Sequence, residues 1–275
     1  MNEANEVAKS YDSFSEREWQ RLARDPYHTI EYTITWHVLN KHLPPTGKVL
    51  DAGGGPGRYA LELCRRGYQT VLHDLSPGNL DMARKHFEAE PENVQENLLQ
   101  MEVGDVRDLT QFETGCFDAV LCLGGVLSHI SDQDGRQQAL TELTRVTKPG
   151  GLTCVAVIGY FGLLRYMLNY YSDELLQPNL DSLLQTGNAQ GPTGTTWHFF
   201  HVEEIRQLVA AQELEILEMA GCESLSTGLR EATNNVAKDE AKWAAWTQIL
   251  LDTCTAPGVA EISEHILCVG RKPAV

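Results

Sequence analysis

The feature that most constrains the fold is a glycine cluster between an apolar run and a helical pattern, in the stretch KVLDAGGGPGRYALEL, residues 48–63. Four glycines occupy five consecutive positions, 53–57, shortly after an aspartate. Glycine loses more backbone freedom on folding than any other residue, so such a cluster is normally destabilising. The turn therefore requires backbone that no side chain obstructs.

Strand and helix patterns alternate from this turn onward. Apolar runs predict five strands, which are KVLDA, QTVLHD, LLQMEVGD, FDAVLCLGG and LTCVAVI. Helical patterns lie at 58–66, which Gly67 ends, at 77–87, after the capping residue Ser76, and at 134–146. Strands joined by helices of about ten residues predict right-handed βαβ units and a mainly parallel sheet covered on both faces.

The segments outside this core predict further elements. A helical N-terminal segment ends at two prolines, and an aromatic segment after the fifth strand runs into the Gly/Pro/Thr-rich stretch GNAQGPTGTTW. Two more strands, LEILEMA and EHILCVGRK, flank a segment with the helix DEAKWAAWTQILLDTC. We predict a single α/β domain, 1–275, with a doubly wound, mainly parallel, seven-stranded sheet. It consists of the N-terminal helical segment 1–43, the core 45–158, and helical insertions 160–197 and 221–262 after strands 5 and 6.

The glycine turn lies where a doubly wound sheet binds its ligand, outside the carboxyl end of a strand. A dinucleotide-binding turn has the spacing G-x-G-x-x-G. Counted from Gly53 the sixth position is Arg58, and counted from Gly55 it is Ala60. The spacing therefore disfavours a nicotinamide-dependent dehydrogenase.

Five ordered motifs resemble those of the class I S-adenosylmethionine-dependent methyltransferases. They are VLDAGGGPG at 49–57, the acidic Asp74 in VLHDLS, the pair Gly104-Asp105, the strand FDAVLCLGG, and RVTKPGG before the fifth strand. The resemblance covers about residues 45–158 well and 198–270 more loosely. It implies a Rossmann-like methyltransferase fold with an N-terminal helical lid, and S-adenosyl-L-methionine as cofactor with S-adenosyl-L-homocysteine as product.

The resemblance also implies a role for each matching position. Asp51 supports the loop and reaches the cofactor's ammonium group, Asp74 accepts hydrogen bonds from the ribose hydroxyls, and Asp105 accepts one from the adenine amino group. Tyr11 resembles the tyrosine of a lid that closes over the cofactor. The cofactor-binding residues it implies are Asp51, Gly53, Gly54, Gly55, Gly57, Asp74, Leu75, Asp105, Val106, Leu123 and Tyr11.

The acceptor side is less constrained, because an activated methyl donor leaves catalysis mainly to positioning and desolvation. A general base is needed only for a poorly acidic acceptor. The stretch GGVLSHI follows the fourth strand and makes His129 the candidate catalytic residue. Ser128, His129, His198 and Tyr166 are the candidate substrate contacts. The histidines and Tyr166 also have a structural interpretation, as buried histidines or a core aromatic, and His265 is assigned to the core or surface of the last strand.

Composition bounds the partners. The formal net charge of −16 opposes a polyanionic partner such as nucleic acid, and an anionic membrane surface. The longest mostly apolar run, GLTCVAVIGYFGLL, is shorter than the roughly twenty residues that span a bilayer. The N-terminus has no apolar signal region. Seven scattered cysteines without a CxxC pair predict free thiols, no zinc or other metal site, and a cytoplasmic protein.

The favoured function is therefore transfer of a methyl group from S-adenosylmethionine to a small organic acceptor, by in-line displacement at O, N, S or C. Three alternatives stay open. The first is a module that binds the cofactor without transferring its methyl group. The second is the dehydrogenase disfavoured above. The third is methylation of a metalloid held by paired thiols, for which no motif supports Cys122 and Cys222.

Overall fold

A computed structural model describes residues 3–176, 178–191 and 194–274. The remaining positions of the predicted domain, which are 1, 2, 177, 192, 193 and 275, lie outside the described residues. The N-terminal segment forms three helices, α1 (Glu3–Asp12), α2 (Ser15–Arg21) and α3 (Pro26–His42). A new helix begins at Pro26 because the side chain of Asp25 accepts a hydrogen bond from the His28 backbone N–H.

The alternating core follows the sequence prediction closely. Its elements are β1 (Lys48–Ala52), α4 (Arg58–Arg65), β2 (Gln69–Asp74), α5 (Pro77–Glu88), α6 (Glu92–Gln95), β3 (Leu98–Val103), β4 (Phe117–Cys122), α7 (Gln133–Val146) and β5 (Thr147–Ile158). The first insertion contains α8 (Tyr160–Tyr170), α9 (Pro178–Thr186), β6 (Asn188–Gln190) and β7 (Thr196–His198). The remaining elements are α10 (Val202–Ala210), β8 (Glu215–Gly221), α11 (Arg230–Val236), α12 (Glu240–Thr253), α13 (Pro257–Ile262) and β9 (His265–Arg271).

Seven strands form one sheet in the order β3-β2-β1-β4-β5-β9-β8. Strands β1 to β5 are parallel, and β9 is antiparallel to both of its neighbours. The doubly wound, mainly parallel, seven-stranded sheet is therefore confirmed, as are the helical insertions after the fifth and sixth of its strands. Because β9 runs in the opposite sense, its first residue, His265, pairs with Ile158 at the end of β5.

Both faces of the central strands are buried, as the strand sequences predict. The adjacent residues Val49 and Leu50 of β1 point to opposite faces, because side chains alternate along a strand. Val49 packs in a cluster with Ile34 of α3, whereas Leu50 packs in a cluster with Leu140 of α7. The helices on the two faces hold the sheet in place and leave its carboxyl edge available for a site.

Two local differences from the sequence prediction have clear causes. Strand β5 begins at Thr147 rather than at Leu152, and the KPGG segment inside it makes the pairing with β4 jump from Phe117↔Thr147 to Ala119↔Leu152. Gly150, with φ of +77°, allows this bulge. The Gly/Pro/Thr-rich stretch forms part of the two-stranded β6–β7 sheet, which its composition concealed.

Among the described residues, none of the helices is both long enough and apolar enough to cross a membrane. All seven cysteines are free thiols, as predicted, and six of them are buried. Burial raises the pKa of the Cys122 thiol well above its usual value. These cysteines therefore behave as small apolar core residues.

Candidate active site

A cavity, here called the edge cavity, lies at the carboxyl ends of β1, β2 and β4 and beneath the N-terminal helices. Its lining includes all the predicted cofactor residues except Gly57, namely Asp51, Gly53, Gly54, Gly55, Asp74, Leu75, Asp105, Val106, Leu123 and Tyr11. Gly57 begins α4 with φ of +81°, and a Cβ atom there would lie 3.0 Å from Leu72. Gly57 thus lets the helix pack against β2, and its contact with the cofactor stays a prediction.

The glycine turn follows the predicted logic. Gly53 has φ of +72°, and a Cβ atom added to it would lie 2.5 Å from a methyl group of Val126. A Cβ atom on Gly54 would lie 2.4 Å from the Asp51 carboxylate. Both backbone N–H groups donate to the His73 carbonyl oxygen, at 2.7 and 3.1 Å. Any side chain at these two positions would push the turn away from β2.

Asp51 is fully buried beneath this turn. Its Oδ2 accepts a hydrogen bond from the Ala60 backbone N–H at 3.0 Å, which anchors α4. Its Oδ1 is buried and has no hydrogen-bond partner within the described chain. Burial raises the pKa of this carboxyl to about 7. An unpartnered buried carboxylate oxygen is costly, so this atom is suited to a donor that a ligand supplies.

Asp74 ends β2 and organises the two loops beside it. Its Oδ2 accepts from the Gly55 backbone N–H at 2.8 Å. Its Oδ1 accepts from the Ser76 N–H at 2.9 Å and from the Asn79 side-chain amide at 3.1 Å. Burial raises the pKa of the Asp74 carboxyl. These hydrogen bonds, including the one from Gly55, thus hold the carboxylate in a fixed position at the cavity wall.

Asp105 lies across the edge cavity, after β3. Arg107 holds it, donating from Nε at 3.0 Å and from a terminal nitrogen at 2.6 Å. The Arg107 guanidinium also lies 3.8 Å from Glu3 of α1. The predicted carboxylate is therefore in place, and the sequence interpretation did not include its arginine partner two residues away.

Helix α1 closes the edge cavity through four polar contacts. The Tyr11 hydroxyl lies 2.8 Å from His129 Nε2. Asp12 accepts hydrogen bonds from Ser76 Oγ at 2.6 Å and from the Gly78 N–H at 2.9 Å. Glu3 accepts from the Ser131 N–H at 3.2 Å. These contacts join α1 to loops that line the cavity, as expected of a lid.

A larger cavity of about 950 Å³, here called the aromatic cavity, adjoins the edge cavity. Its aromatic lining consists of Tyr11, Tyr166, Tyr171, Trp197 and Phe199. Five residues line both cavities, namely Tyr11, Glu18, Arg21, Gly124 and His129. The two cavities therefore share a wall, and His129 is part of it.

His129 lies after β4, at the edge of the sheet where the sequence predicts it, and it is placed between the two cavities. Its ring meets the ring of Trp197 edge to face, with centroids 4.8 Å apart. Burial lowers the pKa of His129 to about 4, so its imidazole is neutral at physiological pH. Its Nδ1 is buried without a partner in the described part of the chain. This nitrogen is available to a group that enters from outside.

Two predicted substrate contacts are wrong in this structure. Ser128 is fully buried, and its hydroxyl accepts a hydrogen bond from the Ile158 backbone N–H at 3.0 Å, which fixes the turn after β4. His198 is buried with both ring nitrogens engaged, by Asn188 at 2.7 Å and by Glu204 at 2.8 Å. Tyr166, in contrast, lines the aromatic cavity, and its contact with the substrate stays a prediction.

A chain of paired acidic and basic side chains lies beside the aromatic cavity, and its members Glu18, Arg21 and His265 line that cavity. The Arg21 guanidinium donates to both oxygens of Glu31, with the longer contact at 3.1 Å, and to Glu18 at 2.8 Å. His265 donates from Nδ1 to Glu223 at 2.7 Å. Burial alone would lower the pKa of His265, but the carboxylates of Glu31 and Glu223 outweigh it and raise the pKa to about 9. The pairing explains why these groups are tolerated in a buried position.

Oxygen and nitrogen atoms of Glu31, Glu223 and His265 lie within 4.8 Å of one another, which is close enough for a metal ion. Arg21 already occupies Glu31, however, and a protonated imidazole has no lone pair for a metal. The donor set thus fits an ion-pair chain better than a metal site.

Glu264 lines the aromatic cavity next to this chain, and sequence reasoning missed it. Its Oε1 accepts from the Tyr27 hydroxyl and from the Gly228 N–H, the latter at 3.1 Å. His265, which was assigned to the core or surface of the last strand, lines the same cavity. The available signal was positional, because an antiparallel last strand begins at the edge where the parallel strands end.

Comparison with known proteins gives the family of the central segment. Residues 49–151 match the family described as a methyltransferase domain. The chain is 28% identical over 162 residues to the tRNA 5-carboxymethoxyuridine methyltransferase of Escherichia coli (strain K12). This aligned region covers 58% of this chain and 59% of that protein. It is 28% identical over 182 residues to the ubiquinone biosynthesis O-methyltransferase of Xanthomonas campestris pv. campestris (strain B100), covering 60% and 72%.

The fold is also similar to that of solved structures. The 1,6-didemethyltoxoflavin-N1-methyltransferase of Burkholderia thailandensis, solved with 1,6-didemethyltoxoflavin and S-adenosylhomocysteine, aligns with a TM-score of 0.59 over 98% of this chain and 88% of that one. At 14% identity this likeness concerns the fold alone. The chain spans 59% of the length of the Escherichia coli relative.

Proposed function

We propose, for a chain whose residues 49–151 form a class I S-adenosylmethionine-dependent methyltransferase domain, that the whole protein transfers a methyl group from S-adenosylmethionine to a small organic acceptor. The observation that carries the proposal is the buried, unpartnered Oδ1 of Asp51 in a cavity that also contains Asp74 and Asp105. Three carboxylates around one cavity match a ligand with an ammonium group, a diol and an amino group.

The residues of this chain would hold the cofactor as follows. Asp51 Oδ1 would accept from the ammonium group, and the carboxylate of Asp74 would accept from the ribose hydroxyls. Asp105 would accept from the adenine amino group, with Leu75 and Val106 against the ring. When bound, S-adenosylmethionine supplies an already activated methyl group. The contacts of α1 described above would keep water out of the site.

His129 would act on the acceptor, from its place between the two cavities. A neutral imidazole with an unpartnered Nδ1 can accept a hydrogen bond or a proton from the attacking group. The Nε2 contact with Tyr11 would fix the ring orientation. Positioning alone can supply a large part of the acceleration of such a reaction.

A small acceptor fits the chain better than a nucleic acid does. The aromatic cavity, of about 950 Å³, is in the size range of pockets for small organic ligands. The name of the Escherichia coli relative includes tRNA, so a nucleic-acid acceptor is the alternative to test. The net charge of −16 opposes it, because phosphate backbones are bound by Lys and Arg.

Calorimetric titration tests the proposed cofactor. We expect heat of binding from S-adenosylmethionine and S-adenosylhomocysteine, and none from NAD, because the glycine spacing does not suit a pyrophosphate. Binding of NAD with no heat from either adenosyl ligand would overturn the proposal. Turnover against small acceptors and bulk tRNA, followed by release of S-adenosylhomocysteine, then separates an enzyme from a binding module and one acceptor class from the other.

The affinity for S-adenosylhomocysteine is expected to rise about tenfold between pH 6 and pH 8, because an ammonium donor prefers the carboxylate form of Asp51 and the pKa of this group is about 7. The Asp51→Asn variant should bind more weakly and without this pH dependence. Titrations at pH 6, 7 and 8 measure both. A level wild-type affinity over this range would contradict the ammonium contact.

Unfolding provides a separate check on the same group. An unfolded aspartate releases its proton near pH 4, whereas folded Asp51 retains it until about pH 7. The folded state then binds more protons than the unfolded one, so this group lowers the free energy of unfolding as the pH rises from 4 to 7. Asp51→Asn should remove that part of the pH dependence in the ligand-free protein.

A further inference from the structure

Some of the charged side chains at the aromatic cavity form ion pairs, whereas Glu264 forms none within the described chain. Arg21 is paired with Glu18 and Glu31, and His265 is paired with Glu223. Glu264 differs, since it accepts hydrogen bonds from two neutral groups, the Tyr27 hydroxyl and the Gly228 N–H. Within the described chain, no Lys, Arg or His nitrogen lies within the 4.0 Å ion-pair distance of its carboxylate. The cavity thus contains a carboxylate that makes no direct ion pair within the described chain.

The wall around Glu264 has an excess of negative charge. The acidic residues that line the aromatic cavity are Glu18, Glu174 and Glu264, and the cations that line it are Arg21 and His265. Burial and the negative charge of Glu223 raise the pKa of Glu264 to about 7. A cation placed beside Glu264 would favour the ionised form of its carboxylate. The ligand-free site therefore lacks a positive charge at this position.

The rest of the cavity is suited to a cation on an apolar body. Tyr166 and Trp197 line it, and aromatic rings attract organic cations. Tyr166 is braced by Tyr170, with ring centroids 4.6 Å apart. On the side of the edge cavity, the unpartnered Nδ1 of His129 indicates that a ligand group is missing there as well. Two separate features of the cavity, the Glu264 carboxylate and the Nδ1 atom of His129, are therefore suited to bind groups of a ligand.

We propose that the acceptor is a small organic amine, whose protonated nitrogen is anchored by Glu264 and by the rings of Tyr166 and Trp197. This inference rests on the proposed methyl transfer, because that proposal places the acceptor beside His129. The ammonium group is the anchor, and the rest of the molecule extends toward His129. A carboxylate anchored by the His265 imidazolium is the competing arrangement, and it requires an acceptor of opposite charge.

Three probes of one shape and different charge test the anchor in the wild-type protein. They are phenethylamine, which is a cation, 2-phenylethanol, which is neutral, and 3-phenylpropionate, which is an anion. We expect calorimetry to give an affinity for phenethylamine at least about tenfold above that of 2-phenylethanol, with 3-phenylpropionate weakest. Equal affinities, or tightest binding of the anion, would overturn the proposal.

Two matched variants locate the preference. Glu264→Gln keeps the shape of the side chain and removes its charge, so it should abolish the preference for phenethylamine. Glu174→Gln makes the same change at an exposed position of the same cavity and should alter the preference less than about twofold, because water screens that charge. An equal loss in both variants would show a general effect of charge and would refute the specific anchor.

The probe titrations are made both with and without saturating S-adenosylhomocysteine, so that the two proposals fail separately. If S-adenosylhomocysteine binds but the probes show no charge preference, the amine inference is wrong and the proposed function stands. If S-adenosylhomocysteine does not bind, the proposed function is wrong, and the probe series still decides whether Glu264 anchors a cation. Should Glu264→Gln fail to fold, the wild-type probe series decides alone.

Discussion

Replacing Asp74 by alanine is expected to weaken S-adenosylhomocysteine binding by about ten- to a hundred-and-fifty-fold, the equivalent of about 1.5–3 kcal/mol for hydrogen bonds to a charged group. The physical reason is twofold. The carboxylate would accept from the ribose hydroxyls, and it also holds the Gly55 backbone N–H at 2.8 Å in the loop that lines the same cavity. Calorimetric titration measures the dissociation constant directly.

The control for Asp74→Ala is Asp118→Ala. Asp118 also accepts a backbone hydrogen bond, from the Lys48 N–H at 2.8 Å, but at the opposite edge of the sheet. Its loss should lower the free energy of unfolding and leave the affinity unchanged. An unchanged dissociation constant in folded Asp74→Ala would mean that the ribose contact is misassigned, and an equal loss in both variants would indicate a stability effect.

The part of the site nearest the glycine turn could be predicted because its signals are local. Asp51, Gly53 and Asp74 lie at strand ends that short apolar runs define, and the turn requires glycine where a Cβ atom would collide with Val126. Parallel strands also bring their carboxyl ends to one edge, so residues that follow different strands meet there. Such features need no knowledge of the tertiary structure beyond the sheet.

The acceptor side could not be predicted in the same way, because its contacts join distant parts of the chain. Tyr27 and Glu264 are bonded across 237 positions, and Arg21 and Glu31 are on separate helices of the N-terminal segment. One local signal was available. Glu31 lies on the buried stripe of α3, among apolar residues at helical spacing, and a charge in that position indicates a buried partner.

The two wrong predictions of substrate contacts, Ser128 and His198, show that the side chains of adjacent residues can point in different directions. Ser128 and His129 lie in a short 3-10 helix with three residues per turn, so their side chains point in different directions and only His129 reaches the cavities. His198 lies between Trp197 and Phe199 at the end of a short strand. Those two aromatic residues line the aromatic cavity, whereas His198 packs against Asn188 and Glu204.

His129→Ala is expected to lower turnover by about ten- to ten-thousand-fold, with the upper range if the residue removes a proton in the reaction. The affinity for S-adenosylhomocysteine should change less than about threefold, or roughly 0.7 kcal/mol, because the cofactor contacts assigned above do not involve the imidazole. Steady-state turnover with an amine acceptor and calorimetric titration of the product measure the two effects on the same protein.

The control for this variant is Tyr11→Phe, because His129→Ala also removes the 2.8 Å contact that joins α1 to the wall between the cavities. Tyr11→Phe removes that contact and leaves the imidazole in place. A smaller loss of turnover in Tyr11→Phe than in His129→Ala assigns the difference to the imidazole itself. Equal losses, or a loss of cofactor binding together with turnover, would mean that His129 has a structural role only.

His129→Asn then separates positioning from proton removal, since asparagine retains a hydrogen bond but cannot accept a proton at neutral pH. If it restores most of the turnover that alanine loses, His129 positions the acceptor; if it does not, Nδ1 takes up the proton. The pH profile gives an independent reading. Burial lowers the pKa of His129 to about 4, so its contribution should be level from pH 6 to pH 8. A slope centred near pH 7 that persists in His129→Asn belongs instead to Asp51 or Glu264, whose pKa values are both about 7.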